Sequence, residues 1–135
     1  MRWYVDTSVW LTAIGGEHRD RSACQAFFAH AHAAGDELVC GVEVVQEFVF
    51  HRLRRTSRAQ ALSEVADVRV AAHLRDFDAK TLDLALELMQ STTLKGRDAV
   101  HAATARIAGL ESIVSLDADF DDVAGLTRVH PGAVR

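Results

Sequence analysis

Apolar positions along this chain follow two periods. Trp3-Tyr4-Val5, Glu37-Leu38-Val39-Cys40-Gly41 and Glu111-Ser112-Ile113-Val114-Ser115-Leu116 are short runs rich in aromatic or β-branched residues. They read as strands, with a last one at Leu126-Thr127-Arg128-Val129 before His130-Pro131. Between them the spacing is helical. Val9, Trp10, Leu11 and Ile14 mark a first helix, introduced by Asp6, Thr7 or Ser8 as cap and stopped by Gly15-Gly16. A second helix spans His18 to Ala34 and ends at Gly35; a third spans Val42 to Arg55. Ser57 caps a fourth, with Ala61, Leu62 and Val65 apolar, and Asp78 caps a fifth from Ala79 to about Gln90. Val68 to Phe77 is ambiguous, because Val68, Val70 and Ala72 alternate as in a strand. After the Lys95-Gly96 loop a sixth helix runs to Ala108, with Gly109 as its C-cap. Strands alternating with helices predict a three-layer α/β/α domain around a short, mostly parallel sheet.

Size and charge narrow the function. A chain of 135 residues, 49% hydrophobic and 25% charged, fits one domain, residues 1–135, with a sizeable core. A formal charge of −4 argues against a sequence-specific duplex-DNA reader, which needs a basic face, but not against a nuclease. The basic residues Arg52, Arg54, Arg55 and Arg58 cluster, which suits either a solvated helix end or contact with RNA phosphates or a partner's acids. Cys24 and Cys40 form no C-x-x-C pattern and are expected as buried thiols. The first residues lack a signal-peptide layout, and no apolar run nears the ~18 residues of a membrane span, so a cytoplasmic protein is expected. His30 and His32 are two apart and no H-E-x-x-H occurs, so the histidines do not outline a zinc site.

The chemistry lies in the acids. In a parallel sheet, sites form beyond the carboxyl ends of the strands. Asp6 and Asp117 each follow a strand and should face that edge. Asp98 stands in the opening turn of the sixth helix, where the dipole favours a carboxylate, and Ala99, Ala102, Ala103 and Ala105 let neighbouring backbone pack closely behind it. Glu47 can reach in from the third helix; Glu43, one turn earlier on the same face, competes for that role. Clustered carboxylates disfavour each other's ionisation, and a hard divalent cation such as Mg²⁺ relieves this. A metal so held supports phosphodiester hydrolysis. Taken singly, each acid also has an ordinary reading as a cap, a dipole-favoured acid or a solvated residue. His101, one turn after Asp98, could approach the site or bond a backbone group, with a structural role favoured; Trp10 and Phe48 are assigned to the core or a dimer interface.

Four segments in order change the weight of those acids: Val5-Asp6-Thr7-Ser8, Glu43-Val44-Val45-Gln46-Glu47-Phe48, Gly96-Arg97-Asp98-Ala99-Val100-His101-Ala102-Ala103-Thr104-Ala105 and Val114-Ser115-Leu116-Asp117-Ala118-Asp119-Phe120. Together they resemble a PIN domain, in particular the VapC-like toxin ribonucleases of toxin–antitoxin pairs. The resemblance runs from Val5 to Pro131. It implies a PIN-like fold and a Mg²⁺-dependent endoribonuclease, with Mn²⁺ able to substitute. It also implies a homodimer held by a cognate antitoxin in a heterotetramer or larger assembly. Residue by residue, it places Asp6, Glu47, Asp98 and Asp117 in the catalytic acidic site and Asp6, Asp98, Asp117 and Asp119 as metal ligands. The Glu47-Phe48 context favours Glu47 over Glu43, and Thr7, Ser8 and Ser115 would support the acids by hydrogen bonds. Asp121 and Asp122 extend the acidic run without an assigned role. The alternative is a catalytically silent PIN-fold module that binds protein or RNA. A phosphotransfer enzyme fits less well, since Asp6-Thr7-Ser8 lacks a second acid two residues on.

Overall fold

The computed structural model describes residues 1–134; Arg135, the last residue of the expected domain, lies outside the described residues. Five strands form one sheet: β1 (Arg2–Val5), β2 (Glu37–Gly41), β3 (Ala72–Arg75), β4 (Ser112–Val114) and β5 (Thr127–Val129). Their order is β3-β2-β1-β4-β5, and every neighbouring pair is parallel. Six helices flank the sheet: α1 (Thr7–Ile14), α2 (Arg21–Ala34), α3 (Val42–Leu53), α4 (Arg58–Ala71), α5 (Ala79–Ser91) and α6 (Gly96–Ile107). A short 3₁₀ turn, Ala118–Asp122, links β4 to β5. With both faces covered, a parallel strand must be apolar on both sides. Accordingly Tyr4, Val5, Val39, Cys40, Ile113 and Val114 are all fully buried.

This strand order sets the place of the site. The chain builds outward from β1 to β2 and β3, then returns to the other side of β1 with β4 and β5. The reversal falls between β1 and β4, and a crevice opens there beyond the strand ends. The Asp6 amide donates to the Val114 carbonyl at 3.0 Å, so the two strands stay in register until both chains leave the sheet.

Helix boundaries follow local chemistry. Gly35 and Gly109 adopt left-handed φ values of 71° and 77° past the ends of α2 and α6, a conformation glycine adopts freely. Ser57 Oγ and Asp78 Oδ1 accept from the amides of Gln60 and Thr81, as capping residues do. Three expectations need correction. The valine alternation at 68–70 is not a strand: α4 continues to Ala71, burying Val68 and leaving Val70 90% exposed, and β3 is only the edge pairing of Ala72–Arg75 with β2. In a strand residues two apart share a face, whereas in a helix they stand about 200° apart, which is why Val68 is buried and Val70 exposed. The second helix starts at Arg21 rather than His18, because His18 Nδ1 accepts from the Asp20 amide in the preceding turn. Asp6 stands at the N-cap of α1 but caps nothing with its side chain.

α6 is buried almost all round. Ala99, Ala102, Ala103 and Ala105 are fully enclosed, together with His101 and Thr104. Its neighbour β2 comes so close that a Cβ on Gly41 would stand 3.2 Å from Tyr4 Oη and 3.3 Å from Thr104 Cγ2. Cys24 and Cys40 are free and buried, as expected. Phe48 is core, and Trp10 packs on Phe28 with ring centroids 4.5 Å apart.

Candidate active site

Two hydroxyls meet on one carboxylate at the β1–β4 edge. Ser8 Oγ and Ser115 Oγ each donate to Asp6 Oδ2 at 2.8 Å. The same hydroxyls serve the backbone leaving β4: Ser8 Oγ accepts from the Leu116 amide at 3.2 Å and Ser115 Oγ from the Asp117 amide at 2.9 Å. Asp117 Oδ1 in turn accepts from the Asp119 amide at 2.9 Å, which fixes the first turn of the 3₁₀ segment. The two serines given supporting roles therefore tie the first acid to the last pair.

The far side of that turn has its own anchor. Arg128 Nε donates to Asp121 Oδ1 at 2.7 Å and Arg128 Nη1 to the Ser115 carbonyl at 3.2 Å. Asp121, without a role from sequence, thus belongs to a clamp that holds the turn against β5. No pattern in the sequence links positions seven apart across an irregular turn, so this pair was not visible there.

Asp98, Asp117 and Asp119 converge: one carboxylate oxygen from each lies within 4.8 Å of the other two. Burial pushes the Asp98 carboxyl up to about 6, and the charges of Asp6 and Asp117 push in the same direction. Asp6 acts on Asp98 through this charge and is tied by the serines to the segment carrying Asp117, while the close trio is Asp98, Asp117 and Asp119. All the converging donors are carboxylate oxygens, the ligand type preferred by Mg²⁺ and similar hard cations, and the repulsion at Asp98 is what such a cation relieves. The residues present fit a divalent cation.

Glu47 stands beside this group from α3. Burial alone would raise its carboxyl, but His101, Thr7 and Arg97 more than offset that and hold it below the usual carboxylate range. Its Oε2 is 3.7 Å from His101 Nε2 and 3.8 Å from Arg97 Nη1. His101 is fully buried, and among the described residues neither ring nitrogen has a hydrogen-bond partner. Burial disfavours its charged form; Glu47 first, then Asp6 and Asp98, reverse this and raise it above the ordinary histidine value. The packing role expected for His101 is therefore incomplete: it lies against the acids as well as inside the core. Its position one turn after Asp98 was the signal in the sequence. Glu43, one turn earlier, is not in the acidic trio; with the Gln46 amide turned to suit its surroundings, its nitrogen donates to both Glu43 oxygens at 3.2 Å.

The basic cluster separates. Arg52 is consumed by Glu64 of α4, with Arg52 Nε and Nη2 donating to the carboxylate at 2.9 and 3.1 Å. Arg54 lies over the Phe50 ring, 5.5 Å from its centroid.

Comparison with known proteins agrees with this architecture. The PIN domain family model matches residues 3–126. Ribonuclease VapC7 of Mycobacterium tuberculosis is 36% identical over 135 residues, covering 96% of this chain and 91% of that protein. Among solved structures, VapBC2 from Rickettsia felis bound to a promoter DNA fragment superposes with a TM-score of 0.74 at 16% identity, covering 96% of this chain and 98% of that one. The Mycobacterium tuberculosis toxin VapC20, described as cleaving the sarcin-ricin loop, gives 0.74 at 18% identity, with 90% and 93% covered. On the family match and the VapC7 identity, the chain belongs to the PIN domain family and, within it, to the VapC group.

Proposed function

We propose that this protein is a Mg²⁺-dependent endoribonuclease that hydrolyses RNA phosphodiester bonds as the toxin of a toxin–antitoxin pair. The observation that carries the reading is the convergence of Asp98, Asp117 and Asp119 within 4.8 Å at the sheet's switch point. The relative VapC7 is a ribonuclease, which supports the reaction, and the similar Rickettsia felis structure is a VapBC assembly, which supports an antitoxin partner.

Asp98, Asp117 and Asp119 would hold the cation, with Asp6 beside them. The chemistry that a bound Mg²⁺ supplies is Lewis-acid activation of a phosphoryl oxygen and of water. The protein's own groups do the rest. Ser8 and Ser115 hold Asp6 in one orientation, so the carboxylates need little rearrangement when substrate arrives. Glu47 stays ionised and is the proton acceptor for an attacking water, at Oε2. His101 keeps Glu47 charged and in place. Arg97, 71% exposed at the mouth, offers its guanidinium to the RNA backbone. The working assembly is a homodimer, and the antitoxin blocks the site within a heterotetramer or larger complex.

Cleavage of total RNA by antitoxin-free protein tests this. Discrete fragments are expected with Mg²⁺ or Mn²⁺ and none with EDTA. Asp98→Asn should lower the rate at least about 100-fold, the scale of losing an electrostatic contributor in a site of this kind. Cleavage that persists in EDTA or in Asp98→Asn overturns the reading.

A further inference from the structure

Beside the acids lies a cavity of about 490 Å³, within the range typical of small-molecule sites. It is the groove between one face of α3 and the first turns of α6. Glu43, Gln46 and Phe50 line it from α3, at spacings of three and four; Gly96, Arg97 and Val100 line it from α6. Glu47 and His101 form the end it shares with the catalytic acids. The walls differ in character. Phe50 is 48% exposed, an unusual amount for an aromatic ring, yet the ring is steadied by His51 and by the Arg54 guanidinium. Glu43 lies beside the Gln46 amide, whose nitrogen, once the amide is turned, is 3.2 Å from both carboxylate oxygens. At Gly96 a Cβ would meet nothing within 4 Å, so this wall is open. At the inner end, fully buried His101 has no hydrogen-bond partner at either ring nitrogen among the described residues, though Nε2 lies 3.7 Å from Glu47 Oε2.

We propose that this cavity seats one unpaired RNA base next to the cleaved phosphodiester, stacked on Phe50 and read by Glu43, and that guanine is the base it prefers. The inference rests on the ribonuclease reading above. Single-stranded RNA is recognised by stacking bases on aromatic side chains and bonding their Watson–Crick edges. A carboxylate only accepts, through two adjacent oxygens. Guanine alone presents two adjacent N–H donors, N1–H and the 2-amino group, on its Watson–Crick edge. Adenine, cytosine and uracil each offer one there. Arg97 and Arg54 flank the cavity with positive charge for the phosphates on either side. The site so described adds sequence choice to an acidic centre that contacts only backbone.

The test is cleavage of a randomised single-stranded RNA library with Mn²⁺, read as cut-site sequences, and of a cut sequence in which inosine replaces guanosine. Inosine lacks the 2-amino group. Cut sites should carry guanine at one flanking position, and inosine there should lower kcat/KM about tenfold. Glu43→Gln should bring guanosine and inosine substrates within twofold of each other, and Phe50→Ala should raise KM about tenfold, the size of one lost base stack. Identical cut-site profiles for the wild type and Glu43→Gln overturn the proposal, including the case in which the cavity receives an antitoxin side chain instead. If the protein cuts no RNA at all, the ribonuclease reading fails separately. Titration with guanosine and inosine monophosphates, followed at the Val100 methyl NMR signals, then decides. Shifts larger with guanosine support the seat; equal or absent shifts overturn it.

Discussion

Ser115 shows how much one small side chain carries. Its hydroxyl is fully buried, donates to Asp6 and accepts from the Asp117 amide, joining an acid just past β1 to one past β4. Ser115→Ala leaves that amide unsatisfied and costs about 1–3 kcal/mol of stability, the desolvation scale for a buried polar group. Denaturant unfolding should show the loss, with RNA cleavage falling as well; a variant equal to wild type in both would contradict the link. Asp36 makes a different prediction. The Trp3 indole N–H donates to it at 2.9 Å and the N-terminal ammonium at 3.1 Å, and these hold its carboxyl below the usual range. A carboxyl lowered by folding contributes stability that is present above its unfolded value of about 3.9 and lost as pH falls through its lower folded value. Acid unfolding below about pH 4 should therefore be less steep in Asp36→Asn than in the wild type. At this scale the sequence named acids that the fold brings together, while spacing left the directions of their side chains open. Asp98, Asp117 and Asp119 were all named. That Asp6 would be gripped by two serines rather than sit in the closest trio depends on side-chain directions that spacing does not carry.

Elements were legible where several signals agreed. β1, β2 and β4 stood out because buried parallel strands are apolar on both faces. α5 and α6 stood out because caps and periodicity coincided. β3 was not legible: four residues long and at the edge, it is defined by pairing with β2 rather than by its composition. Nor was the ion pair that ties α3 to α4, although Ser57 marked the start of α4. Partly buried Arg52 and buried Glu64 form this two-pronged pair. Removing one partner of such a pair leaves a buried charge, so Glu64→Ala should cost about 3 kcal/mol. The double substitution Arg52→Met with Glu64→Met should recover most of it, since apolar replacements of similar volume are often neutral or better. A double variant no more stable than Glu64→Ala would show that the pair does more than hold two helices together. The pair also withdraws Arg52 from RNA contact, which the clustering of arginines could not reveal.

For the whole molecule, the strand order does the organising. Reversal at β1 brings residues 6, 98 and 117, more than a hundred positions apart at the extremes, to one edge of the sheet. α6 delivers Asp98 there on a backbone packed through alanines, and α3 lays Glu47 alongside. No helix among the described residues is long and apolar enough to cross a membrane. On the geometry above, we read this edge as a metal site. An anomalous-difference map from crystals soaked in millimolar Mn²⁺ tests it. A peak bounded by Asp98, Asp117 and Asp119 is expected, absent in crystals of Asp98→Asn. A wild-type map empty at those carboxylates, or a peak that survives Asp98→Asn unchanged, would contradict it.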